Sequence, residues 1–246
     1  MQSNGPGRLR AVRVMNSPVS TVVLWDIDNT LLYTGGAGSR AMARAFVELY
    51  GTSDAFKRIE FSGRTDTAIF FDAARAHGMP ESKWMFERDR FREAYVPHLQ
   101  AALVESDGGG GLMPGIRELL EELARVDGVR MGLGTGNFRS GGELKLRHYG
   151  ISDYFPGTLG GFGEDSESRD EVIATAIERM SNGRRPERVI VIGDTPHDVT
   201  AARANGAFAL AVATGRNDAA ELAACGADAV MADLSDTAAS LRLIRG

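Results

Sequence analysis

The chain has 246 residues, 28 basic and 33 acidic side chains, a net charge of −5 and one cysteine, Cys225. That balance argues against a nucleic-acid binder that works by neutralising phosphates. A lone cysteine excludes an intramolecular disulfide framework, and no stretch reaches the roughly 18 uninterrupted apolar residues of a membrane helix. Thirty glycines, about 12% of the chain against a usual ~7%, are the compositional anomaly, so their positions need a reason.

Residues 1–18 carry Arg8, Arg10 and Arg13 but no apolar signal core before Ser17-Pro18, so they read as a flexible basic tail. Met15 is an alternative biological start to Met1, and cytoplasmic location is the working expectation. Thr21-Val22-Val23-Leu24-Trp25 is then a continuous apolar run ending in Asp26, the pattern of a strand buried on both faces. Residues 38–50, 64–78 and 81–104 follow with helical Ala/Phe/Leu/Met periodicity and no strand-like run. This block is bracketed by Gly35-Gly36-Ala37-Gly38 and by Gly108 to Gly111, so 35–112 reads as a helical insertion on two flexible connections. Pro114-Gly115 opens a helix marked by Ile116, Leu119, Leu120 and Leu123. Further apolar runs at Val129 to Leu133, Val189 to Ile192, Ala207 to Ala213 and, more weakly, Ala229 to Met231 predict strands. Helical patterns at 172–180, 196–205 and 217–225 fall between them. Strands alternating with helices specify an α/β fold: a Rossmann-like, doubly wound parallel sheet with helices on both faces. The sheet-bearing core is then 19–34 plus 113–246, interrupted by the insertion at 35–112.

Ligands of open parallel sheets bind beyond the carboxyl ends of the strands, which is where the acids cluster. Asp26 and Asp28, at i and i+2 after the first strand, project to one side of an extended chain. They can share a metal or act as nucleophile and acid–base partner; solvated acids in a turn are the competing reading. The second strand of the core ends in Gly132-Leu133-Gly134-Thr135-Gly136-Asn137, a hydroxyl among glycines with free backbone N–H groups, suited to an oxyanion or to a tight turn. Lys145 lies eight residues on, within the helix that follows. The strand at 189–192 delivers Asp194, with Asp198 one helical turn away. Hard carboxylates without a Cys/His cluster favour Mg²⁺ over zinc. His197 reads as structural.

Asp26-x-Asp28-x-Thr30, Thr135, Lys145 and Gly193-Asp194-x-x-x-Asp198, in that order on successive strand ends, resemble the four motifs of the haloacid dehalogenase-like hydrolase superfamily over about residues 19–235. An insertion after the first strand is similar to the helical-cap subgroup that includes phosphoglycolate phosphatase-like enzymes. The resemblance implies Asp26 as the nucleophile of an aspartyl-phosphate and Asp28 as acid–base. It places Thr135, Gly136 and Asn137 on the phosphoryl oxygens and Lys145 between nucleophile and phosphoryl group. Mg²⁺ would sit on Asp26, the Asp28 backbone carbonyl and Asp194, with Asp198 supporting. Asp28 separates phosphate chemistry from the family's dehalogenases and phosphonate-cleaving members, which lack an acid there. Asn29 stands where glycine is more frequent. The expected partner is a small phosphorylated metabolite, with Arg64 of Ser62-Gly63-Arg64-Thr65-Asp66 as a candidate substrate contact and Arg139 a lesser one. Thr65 or Ser62 capping a helix, with Arg64 solvated, is the alternative for that segment. A sugar phosphomutase of the same fold, or a non-catalytic phosphate-ligand-binding protein, are the competing functions.

Overall fold

A computed structural model of the protein describes residues 19–52, 54–106, 109–181 and 183–246. The 1–18 segment read as a tail, and Gly108 of the second glycine connection, lie outside the described residues. Uninterrupted apolar runs become parallel strands because each residue finds a buried face. β1 (Thr21–Trp25) directs Val23 and Trp25 to one side and Val22 and Leu24 to the other, each into a separate apolar cluster, as the two-residue period of a strand requires.

The chain continues through β2 (Leu32–Tyr33) into three helices, α1 (Ala37–Tyr50), α2 (Asp66–Ala76) and α3 (Trp84–Glu105). It returns through β3 (Gly111–Leu112) to α4 (Ile116–Leu123), β4 (Val129–Gly134) and α5 (Arg139–His148). β5 (Gly160–Gly161), α6 (Arg169–Ser181), β6 (Arg188–Gly193) and α7 (Pro196–Ala204) follow. β7 (Phe208–Val212), α8 (Ala219–Ala224), β8 (Ala229–Met231) and α9 (Thr237–Arg245) complete the chain. The sheet order is β5-β4-β1-β6-β7-β8, with every pair parallel. The chain builds outward from β1 to β5, then crosses back to lay β6 on the other side of β1. The order therefore reverses at β1, and its carboxyl end faces the crevice where such sheets bind ligands.

The three inserted helices have their own apolar cluster, in which Phe46, Phe70, Phe91 and Tyr95 pack with ring centroids 4.9 Å apart for Phe70–Phe91 and 6.2 Å for Phe46–Phe91. Phe138, which precedes α5, belongs to that cluster rather than to the sheet's, so the insertion is seated on the core by a shared aromatic. The sequence pattern missed three features. β2 and β3 pair antiparallel across the two ends of the insertion, and β5 sits at the sheet edge, but two residues each are too few to register as apolar runs. α9 was not anticipated. The helix expected from 64 begins at Asp66 because the Thr65 side chain accepts from Ala68 N–H, the ordinary N-cap arrangement.

Phe91 is fully buried against four aromatic rings. Phe91→Ala should cost about 3–5 kcal/mol of stability; urea denaturation of the two proteins measures it directly.

Candidate active site

Asp26, Thr135 and Asp194 are the residues immediately after β1, β4 and β6, and these ends lie side by side because β1 pairs with both neighbours. A cavity of about 600 Å³ opens there, lined by Asp26, Asp28, Asn137, Lys145, Arg169 and Asp194 from the core and by Gly38, Arg58, Phe61, Arg64 and Tyr95 from the insertion. Asn29 has φ 58°, a left-handed conformation that glycine adopts freely and asparagine tolerates better than other residues. That accounts for a small polar residue at the position where the resemblance has glycine. Thr30 Oγ1 donates to Asp194 Oδ1 at 3.3 Å, tying the turn after β1 to the end of β6.

Arg169, the first residue of α6, is buried between Asp26 and Asp198. Its Nη2 donates to Asp26 Oδ1 at 2.7 Å and to Asp198 Oδ1 at 2.6 Å, and its Nε to Asp198 Oδ1 at 3.1 Å. Asp198 Oδ2 accepts from Thr195 N and Oγ1 at 3.1 and 2.7 Å, completing the capping box of α7. Both Asp198 oxygens are thereby committed, and the residue braces Arg169. Burial works against the Arg169 charge, yet Asp198 and Asp26 outweigh it and hold the guanidinium above its ordinary pKa.

Asp26 and Asp194 are both pushed above the usual carboxylate range, first by burial. Arg169 opposes the shift at Asp26; at Asp194 the neighbouring Asp26 and Asp198 add to it. Asp194 Oδ2 is buried without a hydrogen-bond partner among the described residues, and a β-carbon on Gly215 would stand 1.8 Å from it. Oxygens of Asp26, Asp194 and Asp198 lie within 4.8 Å of one another. An orphaned buried carboxylate oxygen in an all-oxygen donor set fits a hard divalent cation.

Lys145, at 3% side-chain exposure, stands on Asp28 rather than on Asp26. Its ammonium donates to Asp28 Oδ1 and Oδ2 at 2.8 and 2.6 Å and to Asn137 Oδ1 at 2.6 Å. With Asn137 Oδ1 occupied, its Nδ2 donates to Asp28 Oδ2 and Thr135 Oγ1, each at 2.9 Å. Thr135 is fully buried behind Asn137. Gly136 lies against the insertion: a β-carbon there would come within 2.2 Å of the Arg64 carbonyl oxygen, so only glycine allows this approach. Beside it, Asp66 N–H donates to Gly136 O and Phe138 N–H to Asp66 Oδ2, both at 2.7 Å. Arg64 lines the cavity but pairs with Asp72 at 2.7 Å. Arg139 turns away, donating to Thr158 O and stacking on Phe162 at 4.1 Å. His197 is exposed.

Arg169, which sequence reasoning passed over, had one local signal. A basic residue opening a helix opposes the macrodipole, so a local reason would have to compensate. In the sequence, Asp66 carries no signal beyond its place in the capping segment Ser62-Gly63-Arg64-Thr65-Asp66.

An open parallel sheet with clustered carboxylates and buried cations at its reversal point defines a class of α/β enzyme-like folds. The chain belongs to the haloacid dehalogenase-like hydrolase family, whose model matches residues 21–206. It is 34% identical over 145 residues to the tyrosine-protein kinase PtkA of Mycobacterium tuberculosis, covering 58% of this chain and 46% of that one. It is 32% identical over 125 residues to a phosphoglycolate phosphatase of Synechococcus elongatus, covering 51% and 57%. The chain thus spans about half the length of the curated relatives it matches. The solved structure of CbbY from Rhodobacter sphaeroides with phosphate superposes with a TM-score of 0.66 at 20% identity over 89% of this chain and 96% of that one. A Pseudomonas syringae hydrolase does so at 0.64 and 21%, over 92% and 99%. At those identities the structures share the fold. No helix among the described residues is long and apolar enough to cross a membrane.

Burial pushes the Asp66 carboxyl up to about 7, with Lys145 and the Phe138 N–H opposing and Asp28 and Glu164 adding to the rise. Between pH ~4 and ~7 the folded protein therefore holds a proton that the unfolded chain has released, and stability from this group falls as pH rises. Asp66→Asn keeps an oxygen for Phe138 N–H without titrating. Relative to this variant, the parent should lose up to about 4 kcal/mol between pH 4 and pH 8, measured by denaturant melts of both proteins at each pH.

Proposed function

We propose that the protein is a Mg²⁺-dependent phosphatase that hydrolyses a small phosphorylated metabolite, phosphoglycolate-like or a sugar phosphate, through an aspartyl-phosphate on Asp26. The observation that carries this reading is the convergence of Asp26, Asp28 and Asp194 on one cavity, with Arg169 bonded to Asp26. An Asp26 oxygen attacks phosphorus while the bond to the leaving oxygen breaks, and Asp28 gives that oxygen its proton. Water then attacks the phosphoenzyme, its proton passes to Asp28, and Asp26 is freed with release of phosphate. The backbone N–H of Gly136 holds a phosphoryl oxygen, while Thr135 orders the loop by accepting from Asn137 N–H at 3.3 Å. Arg169 orients Asp26 and offsets negative charge as the phosphoryl group transfers. Mg²⁺, held by Asp26, Asp194 and the Asp28 carbonyl, would supply the remaining charge neutralisation that a carboxylate needs to meet a phosphate dianion.

The insertion covers this cavity and supplies the substrate's distal contacts. Arg64 already serves Asp72. The Arg58 side chain has no ion pair or hydrogen bond among the described residues, and the Arg216 side chain pairs with Glu60 at 3.7 Å; both line the cavity. A carboxylate or second phosphate on the substrate is the natural partner for these guanidinium groups.

Asp26→Asn should cut phosphate release by at least ~10³-fold while leaving the circular dichroism spectrum unchanged, and exhaustive chelation should silence the parent enzyme. Full activity in either case sinks the mechanism. Sugar phosphate isomerised without phosphate release would instead assign a mutase. Arg58→Ala should raise KM roughly five- to tenfold for carboxylate-bearing phosphates and leave uncharged alkyl phosphates little affected, as steady-state assays on both substrate types would read.

A further inference from the structure

The site contains two buried cations, and they divide the acids between them. Arg169 contacts Asp26 and Asp198. Lys145 contacts Asp28 and Asn137 and makes no ion pair with Asp26 among the described residues. An ammonium has three donors, and Lys145 spends all of them, two on the Asp28 oxygens and one on Asn137 Oδ1. None is left for a phosphoryl oxygen. The Asp28 side chain is itself 41% exposed to the cavity, yet it receives three hydrogen bonds from two ordered groups: two from Lys145 and one from Asn137 Nδ2 at 2.9 Å. Such a half-open carboxylate would otherwise sample several rotamers.

The insertion completes this arrangement. A β-carbon on Gly38, in α1, would stand 3.6 Å from Lys145 Nζ and 3.7 Å from the Tyr95 hydroxyl of α3. The ammonium is thus roofed by residues of the insertion, away from solvent. Burying a flexible side chain and its charge costs free energy, and the three hydrogen bonds are the compensation.

We infer that Lys145 is a positioning residue for the acid–base group Asp28 and does not itself neutralise the transferring phosphoryl group. This inference rests on the phosphatase reading above. It assigns Lys145 to the two proton transfers, out to the leaving oxygen in the first half-reaction and back from water in the second, instead of to the phosphorus centre.

The two assignments separate on leaving-group chemistry. p-Nitrophenolate departs without needing a proton, whereas an alkoxide does not. In Lys145→Met, rapid-mixing assays with p-nitrophenyl phosphate and Mg²⁺ should show a burst of about one p-nitrophenol per site at near the parent rate. Turnover should then slow ~10²-fold, with phosphoenzyme accumulating. With an alkyl phosphate the first turnover itself should slow ~10²-fold. Arg169→Met should slow the first turnover with both substrates and so lose the p-nitrophenol burst. In an Asp28→Asn background, Lys145→Met should add less than ~threefold, because the two residues act as one unit. A p-nitrophenol burst slowed as much as the alkyl one would place Lys145 on the phosphoryl group and overturn the inference. Failure of the phosphatase reading is a different result, namely a parent enzyme that releases phosphate from neither substrate. Thermal melts test that Lys145→Met is folded. Should it not be, Lys145→Ala with added methylammonium serves instead. Rescue confined to alkyl-phosphate cleavage and phosphoenzyme hydrolysis supports the positioning role, and rescue of the p-nitrophenol burst refutes it.

Discussion

Asp26, Asp28, Asp194 and Asp198 gather where β1 and β6 end, and the repulsion among these carboxylates conditions everything around them. Two of the four, Asp194 and Asp198, are almost fully enclosed, where water cannot screen them and an uncompensated charge is costly. The molecule meets this with separate devices for separate acids. Arg169 bridges Asp26 and Asp198, Lys145 chelates Asp28, and Asp194 Oδ1 receives the Thr30 hydroxyl. Asp194 Oδ2 is buried without a hydrogen-bond partner among the described residues, an arrangement that fits a hard cation.

The same constraint explains why the site is built on strand ends. Strand ends in a parallel sheet are held in register by the ladders on both sides, so Asp26 and Asp194 cannot drift apart to relieve repulsion. Flexible loops bearing the same acids would separate. The capping box of α7 does comparable work for Asp198: one oxygen ends a helix and the other orients Arg169. The insertion is coupled to this frame through Asp66, whose backbone and side chain grip the 136–138 loop. Seating of the insertion and geometry of the 136–138 loop are therefore one structural variable.

Much of this was legible in the residues. The buried strands were visible as apolar runs, since a strand covered on both faces has no polar alternation. The helices α1, α2 and α3 were visible as apolar periodicity at 38–50, 64–78 and 81–104, and Asp26 and Asp194 as acids at the ends of apolar runs. The glycine surplus also found partial explanation at Gly136, where the insertion's backbone leaves no room for a side chain. Less visible were β2, β3 and β5, whose pairing is decided by partners distant in the chain and whose two residues carry no pattern.

By itself the sequence determined the α/β architecture and the carboxylates at the strand ends, because those follow from local hydrophobic period and from chain order. Only the tertiary structure decided which cation meets which acid. Lys145 and Arg169 lie 117 and 143 residues from Asp28 and Asp26, and no local pattern distinguishes a buried cation from a solvated one. That choice is made when α5 and α6 pack against the sheet and each buried charge must find the partner within its reach.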